Sequence, residues 1–441
     1  MLSLFQRIVH PEFLHQAYVE AKARHHNCLY APAAVLWLLV LQRMHGGAPL
    51  ETAVLQLLRG LPETFWPRPC KRVRDWRQQG KAPSSHTGAY NQARQALPLK
   101  VVQQSCERIF QKLIAQLRPA SAEASPRAFL LDGSSMRTAH SPELCRQYPP
   151  GANQHGAGHW PVVRIVVAHD VETGLAMRPE WGPMYGPKAA SEQKLLETAI
   201  ERLPAGSTVV ADANFGVFTV AWAAAERRHP VVLRMMKVRT ESLVHTNWHD
   251  GMEREVVWKP SRWERKQHPE LPKEAEVKGR LLVRQVQPDN GVKPFLLALF
   301  TTLPGTVEAI FQLYGQRWKI ETDLRTLKSS LKLDQLTCTS PDMVAKEIEM
   351  GMATYNLVRA LICQAAEQSG VPPRGYSFTK VQRILETFGP ELAAAKNARE
   401  AKRIFAKILH YVQQAKLPKR KRPSYPRAVW QRGAYFPTRK T

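Results

Sequence analysis

Paired cysteines, long apolar runs and acidic residues are all scarce in this chain of 441 residues. The six cysteines include no Cys-x-x-Cys pair, which excludes the usual zinc and thioredoxin spacings and is typical of reduced thiols in a cytosol. The longest strongly apolar run, Leu29 to Leu41, is too short to span a bilayer and contains Pro32. Polar side chains interrupt the N-terminal stretch, so it does not resemble a signal peptide. We therefore expect neither a disulfide-rich secreted protein nor an integral membrane protein.

Acidic residues are outnumbered, because 37 Asp and Glu face 63 Lys and Arg and give a formal net charge of +26. A positive field of this size speeds encounters with polyanions and gives salt-dependent affinity for nucleic acid. Charge alone would also suit a basic protein that its charge keeps soluble, or a ribosome-associated protein. The composition therefore favours a nucleic-acid partner and leaves the kind of nucleic acid to the motifs.

The length predicts two to four domains, at roughly 100–200 residues each. Residues 1–125 show helical spacing without strand alternation, and residues 372–441 begin with a helix and end in a basic stretch. Between them, an α/β pattern at 126–236 precedes a polar, basic segment with short strands at 237–294. Residues 295–371 return to a core strand followed by long helices.

Five short apolar runs in the α/β segment predict strands. Three come before the first helix, and the later ones alternate with helices, as crossovers to parallel neighbours require. This is the order of a ribonuclease-H-like core, an α/β fold with a mixed five-stranded sheet. The predicted strands are Ala128–Leu131, Trp160–Ala168, Leu175–Trp181, Thr208–Ala211 and Val231–Met236.

Two aspartates, Asp132 and Asp212, each follow an apolar strand. If the first and fourth strands are neighbours, the two carboxylates meet at one edge of the sheet, where they need a counter-charge. Mg²⁺ supplies that charge, and two such ions about 4 Å apart clamp the attacking and leaving oxygens of a phosphodiester. The alternative is a pair of solvated aspartates in turns.

A third acid lies on a helix predicted from about Thr306 to Leu331. At about 100° per residue, four polar side chains share a stripe only about 60° wide, namely Tyr314, Arg317, Glu321 and Lys328. An apolar stripe beside it would pack on the sheet. Glu321 would complete the metal site, and its basic neighbours would bind phosphates. The alternative is an amphipathic helix with a charged flank.

The spacing of these four residues, Y-x2-R-x3-E-x6-K, resembles the YREK signature of bacterial insertion-sequence transposases of the IS-four family. The segments LLDGSS around Asp132 and VVADANFG around Asp212 are similar to that family's two aspartate motifs. The segment LFTTLPG before the helix resembles the family's last core strand, and TGAYNQARQALP at 87–98 resembles an N-terminal stretch of one branch. The resemblance covers nearly the whole chain.

This resemblance implies a DDE catalytic triad of Asp132, Asp212 and Glu321 that holds Mg²⁺, or Mn²⁺ in its place. It implies hydrolysis at the ends of a transposon, followed by joining of the 3′-OH to target DNA. Related enzymes cut within a dimer that pairs two ends, so the implied partners are double-stranded DNA and a second copy of the chain. The implied location is the cytoplasm of a bacterium, at the nucleoid.

The resemblance also assigns DNA contacts outside the triad. Contacts to transposon-end DNA are implied for Tyr314, Arg317 and Lys328. A β-rich insertion is implied between the second aspartate and the glutamate, and residues 237–294 suit it. In related transposases a tryptophan of this insertion holds a flipped base. The candidates here are Trp248, Trp258 and Trp263, and packing in the insertion's own small core is the alternative for each.

Some features are assigned structural roles or depart from the family. His155 and His159 have a metal-like spacing, but the glycines between them disfavour the helix that would align the two rings. Glu192 is interpreted as a surface or first-turn acid of a helix. Some relatives have an arginine soon after the second aspartate, whereas this chain has Asn214 and no basic residue before Arg227.

The C-terminal tail and two other functional classes stay open. Residues 416–441 carry nine Lys or Arg and no acid, and with Tyr425, Trp430 and Tyr435 they form either a DNA-binding arm or a solvated end. A nuclease of the same fold would cut without strand transfer. A non-catalytic DNA-binding protein derived from a transposase would not need all three acids together, so their presence argues against it.

Overall fold

The computed structural model describes residues 1–117, 127–153, 156–287, 293–395 and 397–418. His155 and the tail aromatics Tyr425, Trp430 and Tyr435 lie outside the described residues, so the roles discussed for them stay predictions. Among the described residues, no helix combines the length and the apolar character needed to cross a membrane.

The N-terminal segment is helical, as its periodicity predicts. Its helices are α1 Leu2–Ile8, α2 Pro11–Glu20, α3 Pro32–Met44, α4 Leu50–Arg59, α5 Lys71–Gln79, α6 Gly88–Ala96 and α7 Leu99–Gln116, with a 3₁₀ turn at Glu63–Phe65. Both α2 and α3 begin with proline, which suits the first helical position because the N–H there has no partner within the helix. The apolar run of α3 is almost wholly buried, so this helix forms part of the protein core.

The central part of the chain supplies the strands. They are β1 Ala128–Arg137, β2 Ala152–Asn153, β3 Gly156–Ala157, β4 Val162–Asp170, β5 Glu180–Pro183, β6 Thr208–Ala211, β7 Val231–Arg234, β8 Glu253–Trp258, β9 Val277–Val286 and β10 Phe295–Thr301. Within the described residues, eight of them form one mixed sheet in the order β5-β4-β1-β6-β7-β10-β9-β8. Strand β6 pairs parallel with β1 and β7, and the other neighbouring pairs are antiparallel.

The sheet is larger than the five strands predicted from the sequence. Strands β5, β4, β1, β6 and β7 correspond to those five, but β10 pairs with β7, and β9 and β8 extend the sheet further. The apolar residues of β7 are buried, and an open edge there would leave backbone N–H and C=O groups unpaired. The third strand also begins later than predicted, at Glu180 and not Leu175, because Leu175 and Ala176 are buried beside β4 and make only an isolated bridge to it.

The segment 237–294, predicted to be β-rich, contains both helices and strands in its described residues. Its helices are α11 Lys237–Val244 and α12 Arg262–Gln267, and its strands β8 and β9 belong to the main sheet. Helix α12 begins with a capping box in which Ser261 and Glu264 satisfy each other's backbone N–H groups. The segment is therefore an extension of the sheet with two short helices, and its strands do not form a separate sheet.

The remaining helices cover the sheet and connect it to both ends of the chain. They are α8 Pro142–Gln147, α9 Glu192–Ile200, α10 Phe218–Glu226, α13 Val307–Gly315, α14 Trp318–Ser329, α15 Pro341–Ser369, α16 Phe378–Ala393 and α17 Ala398–Gln414, with a 3₁₀ turn at Pro373–Gly375. Helix α15 is buried along most of its length and contacts α3, α7, α14, α16 and α17. The terminal segments and the middle of the chain thus share one hydrophobic core.

Candidate active site

The first two predicted acids lie side by side on the sheet. The parallel pairing of β1 with β6 ends at Leu131 and Ala211, so Asp132 and Asp212 follow on neighbouring strands. Both carboxylates are half-buried. Asp132 is not at a strand end as predicted, because β1 remains paired with β4 as far as Arg137. The parallel register alone therefore brings the two side chains together.

The turn after β6 fixes the second aspartate. The backbone N–H of Asn214 donates to Oδ1 of Asp212 at 2.9 Å, an Asx turn that orients the carboxylate. Gly216 follows where a Cβ would lie 2.2 Å from the carbonyl oxygen of Arg234, so only glycine lets this turn pack against β7. The segment VVADANFG therefore ends a strand and orients its acid within a few residues.

The third acid lies on α14, a helix that contacts β1. The predicted continuous helix is two helices, α13 and α14, joined at Gln316 and Arg317 by i→i+3 hydrogen bonds, Arg317 N–H to Tyr314 O at 2.9 Å and Lys319 N–H to Gln316 O at 2.9 Å. Gly315, a weak helix former, precedes this joint. Glu321 accepts a hydrogen bond from Arg317 Nη2 at 2.9 Å.

A cavity of about 540 Å³ lies between β1 and α14. Its lining includes Asp132, Ser134, Glu321, Lys328 and Asp334. Lys328 Nζ donates to Ser134 Oγ at 3.3 Å across the cavity. Two acids of the predicted triad and the lysine of the predicted DNA contacts thus face one open space, with Asp212 on the neighbouring strand.

The pKa of Asp132 is raised to about 6, mainly by burial and also by the carboxylates of Asp212 and Glu192. The hydrogen bond from the Gly133 N–H and the charge of Arg317 act in the opposite direction. Ionising Asp132 is therefore costly in the protein alone. A bound dication would remove that cost, because it supplies the opposite charge within the cluster.

The donor set fits a hard cation such as Mg²⁺, which prefers carboxylate oxygens. Within the described residues, no three Asp, Glu, His or Cys side chains are already arranged close enough to hold a metal ion. The Glu321 carboxylate is instead paired with Arg317. The side chain of Tyr314 is buried, and burial raises its pKa, whereas the charges of Arg317 and Arg234 lower it. The charge of Asp212 acts in the same direction as burial.

The predicted DNA contacts differ in exposure. Lys328 is accessible in the cavity, whereas Tyr314 is only 7% exposed and Arg317 only 9%. Arg317 donates a hydrogen bond to Glu321 and also stacks over Trp318, with its Cζ 5.0 Å from the ring centroid. In this conformation, Lys328 is therefore the one of the three that a DNA phosphate can reach directly.

The structure separates the three tryptophans. Trp258, at the end of β8, is 6% exposed and packs against Phe300, with ring centroids 4.9 Å apart. Trp248 is half-buried against the core. Trp263, on α12, is 68% exposed and lines a groove of about 840 Å³ between α9, α11, β8 and α12. Trp258 therefore packs in the core, and Trp263 is the tryptophan available to a ligand.

Glu192 is a first-turn acid of α9, one of the two positions predicted for it, but its contact with β1 was not predicted from the sequence. Its carboxylate lies directly over Gly133, where a Cβ would be 2.8 Å from Glu192 Cδ and Oε1. Asn214 Nδ2 donates to Glu192 Oε2 at 2.6 Å. The one sequence signal is the glycine that follows Asp132, since a side chain there would displace this carboxylate.

Helix α14 is fixed to the core by a buried charge on its opposite face. Asp323 lies about 200° around the helix from the third acid and is fully buried. It accepts hydrogen bonds from Arg374 Nη1 at 2.7 Å, Arg359 Nη2 at 2.8 Å and Tyr355 Oη at 3.1 Å. Burial opposes its ionisation, but the charges of Arg374 and Arg359 keep the pKa of Asp323 below its ordinary value.

The C-terminal end of α14 is held from both ends of the chain. Arg43, on α3, donates from Nη1 to the carbonyl oxygens of Leu331 at 3.3 Å and Lys332 at 3.4 Å. Gln382, on α16, donates from Nε2 to the carbonyl oxygen of Ser330 at 3.2 Å. The helix that carries the third acid is thus held by an N-terminal helix and a C-terminal helix.

We expect His169 to make the protein less stable in acid. Its ring is fully buried with Nε2 unpartnered, and burial lowers its pKa from 6.5 to about 4. Between these pH values the unfolded chain binds a proton that the folded chain does not. Lowering the pH across that window therefore lowers the free energy of unfolding by roughly 3 kcal/mol. Urea unfolding from pH 7 to 5 should show a shallower pH dependence for His169→Gln than for wild type. His140→Gln, at an exposed histidine, is the control and should keep the wild-type slope.

Comparison with known proteins adds an independent observation. Residues 123–357 match the protein family described as Transposase DDE domain, and the matched span contains Asp132, Asp212 and Glu321. The chain is also 27% identical over 373 residues to the transposase InsG for insertion sequence element IS4 of Escherichia coli (strain K12). That alignment covers 81% of this chain and 80% of the relative.

Proposed function

Because the chain belongs to the IS4-type DDE transposases, we propose that it cleaves the ends of an insertion sequence and joins the freed 3′-OH to target DNA. The observation that carries this proposal is that Asp132 and Asp212 directly follow the last paired residues of the parallel strands β1 and β6, with Glu321 lining the cavity beside Asp132. The strand order β5-β4-β1-β6-β7 supports a ribonuclease-H-like core as the scaffold. Strands β10, β9 and β8 then extend that core.

Asp132, Asp212 and Glu321 would hold Mg²⁺ or Mn²⁺, which when bound would lower the pKa of a water or 3′-OH nucleophile and stabilise the leaving oxygen. The protein's own contribution is orientation. The Asx turn fixes Asp212, and the pairing of β1 with β4 fixes the backbone of Asp132. Arg317 holds Glu321 at the cavity wall. When the Glu321 carboxylate rotates toward a bound cation, the Arg317 guanidinium is free to form a bidentate contact with a DNA phosphate.

Double-stranded DNA is the proposed partner, and two surfaces besides the acids support it. Lys328 lies in the cavity beside Ser134, where both can donate to a phosphate. On α5, Lys71, Arg72 and Arg74 are exposed while Val73 is buried, which gives a basic face at the N-terminal end of the chain. Such a face suits phosphate contacts that position DNA without reading its sequence. We propose that two copies act together on two DNA ends, in the cytoplasm.

Trp263 is the proposed base-stacking residue, and we expect Trp263→Ala to weaken binding of DNA with an unpaired base at its end by about 10-fold. Stacking of one base on an aromatic side chain is worth about 1–3 kcal/mol, and the exposed ring can be removed without opening a core cavity. Gel-shift titration checks the affinity, and Trp263→Phe should restore part of it. Trp258→Ala, the matched control, should instead lower the melting temperature, since Trp258 is buried. Unchanged affinity in Trp263→Ala would exclude this role.

The test of the proposed function is a cleavage and joining assay. Linear DNA carrying the sequences that flank the gene is incubated with the purified protein in Mg²⁺, Mn²⁺ or EDTA, together with a plasmid target. We expect metal-dependent cleavage at a flanking repeat and transfer of the cut end into the plasmid. Cleavage without joined products would identify a nuclease instead. Binding without cleavage would identify a non-catalytic DNA-binding protein.

A further inference from the structure

We propose that Glu192 is a positioning residue for the acid cluster, and that it acts through Asn214 on the turn that holds Asp212. The inference rests on the proposed function for the reaction that it serves. It assigns a role to a side chain outside the triad. Three contacts, made by different elements of the fold, carry it.

The first contact is with strand β1. Glu192 opens helix α9, whose cap is Ser191, with Oγ accepting from the Lys194 N–H at 3.1 Å. From there its carboxylate reaches over Gly133, where any Cβ would lie 2.8 Å from Cδ and Oε1. The close approach requires glycine immediately after Asp132, so the strand leaves room for this carboxylate beside the first acid.

The second contact is with the turn after β6. Asn214 Nδ2 donates to Glu192 Oε2 at 2.6 Å, and the backbone N–H of the same asparagine donates to Asp212 Oδ1 at 2.9 Å. Asn214 thus links Glu192 to the second acid. Rotating the Asn214 side chain would break its bond to Glu192, so the carboxylate restrains the turn that orients Asp212.

The third contact closes the arrangement from the next residue of α9. Gln193 Nε2 donates to the Asn214 carbonyl oxygen at 3.1 Å and to its Oδ1 at 3.2 Å. Both polar atoms of the Asn214 side chain are therefore engaged by the first turn of α9. The helix N-terminus thereby sets the geometry of the turn.

The Glu192 carboxylate is committed to its contacts with Asn214 and Gly133. Within the described residues, Glu192 forms no ion pair with Lys or Arg, whereas Glu197 and the C-cap residue Glu201 of the same helix both do. Its carboxylate lies against Gly133, the residue next to Asp132. Partners that orient metal ligands typically change metal affinity or activity by about 10–100-fold when they are removed.

The experiment measures Mn²⁺ binding to the DNA-free protein by calorimetry, alongside DNA cleavage. We expect Glu192→Ala to weaken Mn²⁺ binding and to slow cleavage by about 10-fold or more, with DNA affinity unchanged. Glu192→Gln keeps an oxygen that can accept from Asn214 and should recover most of both. Asn214→Ala should match Glu192→Ala, and the double variant should lose little more, because the two residues act in one chain of contacts.

Glu201→Ala, at the other end of α9 where Glu201 pairs with Arg227, is the matched control and should behave as wild type. Additive losses in the double variant, or Glu192→Gln as impaired as Glu192→Ala, would overturn action through Asn214. Mn²⁺ affinity equal to wild type in Glu192→Ala would overturn the positioning role altogether. If the wild-type protein binds Mn²⁺ but cuts no DNA, the proposed function fails while the binding comparison still tests this inference.

Discussion

Glu321→Gln should abolish metal-dependent DNA cleavage, lowering the rate on the order of 10³-fold or more, and leave DNA binding intact. Removing an outer partner of a metal ligand already costs about 10–100-fold, so removing the charge of a proposed ligand should cost more. The amide has the same shape as the carboxylate, and its carbonyl oxygen can still accept from Arg317 Nη2. The helix and its packing are therefore retained, and the loss reports the missing negative charge.

The measurement is single-turnover cleavage of end-labelled DNA, with gel-shift affinity and thermal melting in parallel. Glu308→Gln provides the matched control, since Glu308 is an exposed acid on α13 that pairs with Arg284 and is not among the residues that line the cavity. That variant should cleave at the wild-type rate. If Glu321→Gln cut as fast as the control, the third acid of the site would have been assigned to the wrong residue.

Asp323→Ala should lower the free energy of unfolding by about 3–5 kcal/mol. Removing one member of a buried ion pair leaves its partners buried and charged without compensation. Here the stranded charges would be those of Arg359 and Arg374, both nearly fully buried around the fully buried carboxylate. Because the same contacts hold the back of α14, cleavage should fall even where the variant remains folded.

Urea unfolding at neutral pH measures this effect. Asp334→Ala is the control, because the Asp334 side chain is 42% exposed and lies 3.9 Å from Arg137, which is 52% exposed. Its removal should change the free energy of unfolding by less than about 1 kcal/mol, as for surface ion pairs in general. Equal losses in the two variants would mean that the contacts of Asp323 contribute no more than a solvated pair.

The placement of Asp132 beside Asp212 could be predicted because local patterns determine it. Asp132 follows the apolar part of β1 and Asp212 follows β6, and the helix before β6 favours parallel neighbours, so one sheet register brings both together. The stripe of Tyr314, Arg317, Glu321 and Lys328 was predicted from the periodicity of one continuous helix, which the structure divides at Gln316. These predictions depend on apolar runs and helix faces, and both are encoded within a few residues.

Features that depend on contacts between distant segments could not be predicted. The extension of the sheet requires β10 to find the open edge of β7, and no local pattern states that pairing. Trp258 and Trp263 lie in similar polar, basic sequence, and packing on Phe300 is what buries only the first. Glu192 approaches Asp132 because α9 crosses the sheet above Gly133. In each case the deciding contact joins residues far apart in sequence.

The contacts that Arg43 and Gln382 make with the C-terminal end of α14 have a consequence for folding during synthesis. Arg43 meets the end of this helix across 288 residues of chain, and Gln382 contacts the carbonyl oxygen of Met44 across 338. During synthesis the three acids leave the ribosome before Arg359, Arg374 and Gln382 do. Since domains fold as their sequence emerges, the cluster acquires its final geometry only late in translation. A prematurely terminated chain that ends soon after Glu321 would carry the complete acid motif without the contacts that hold it in place.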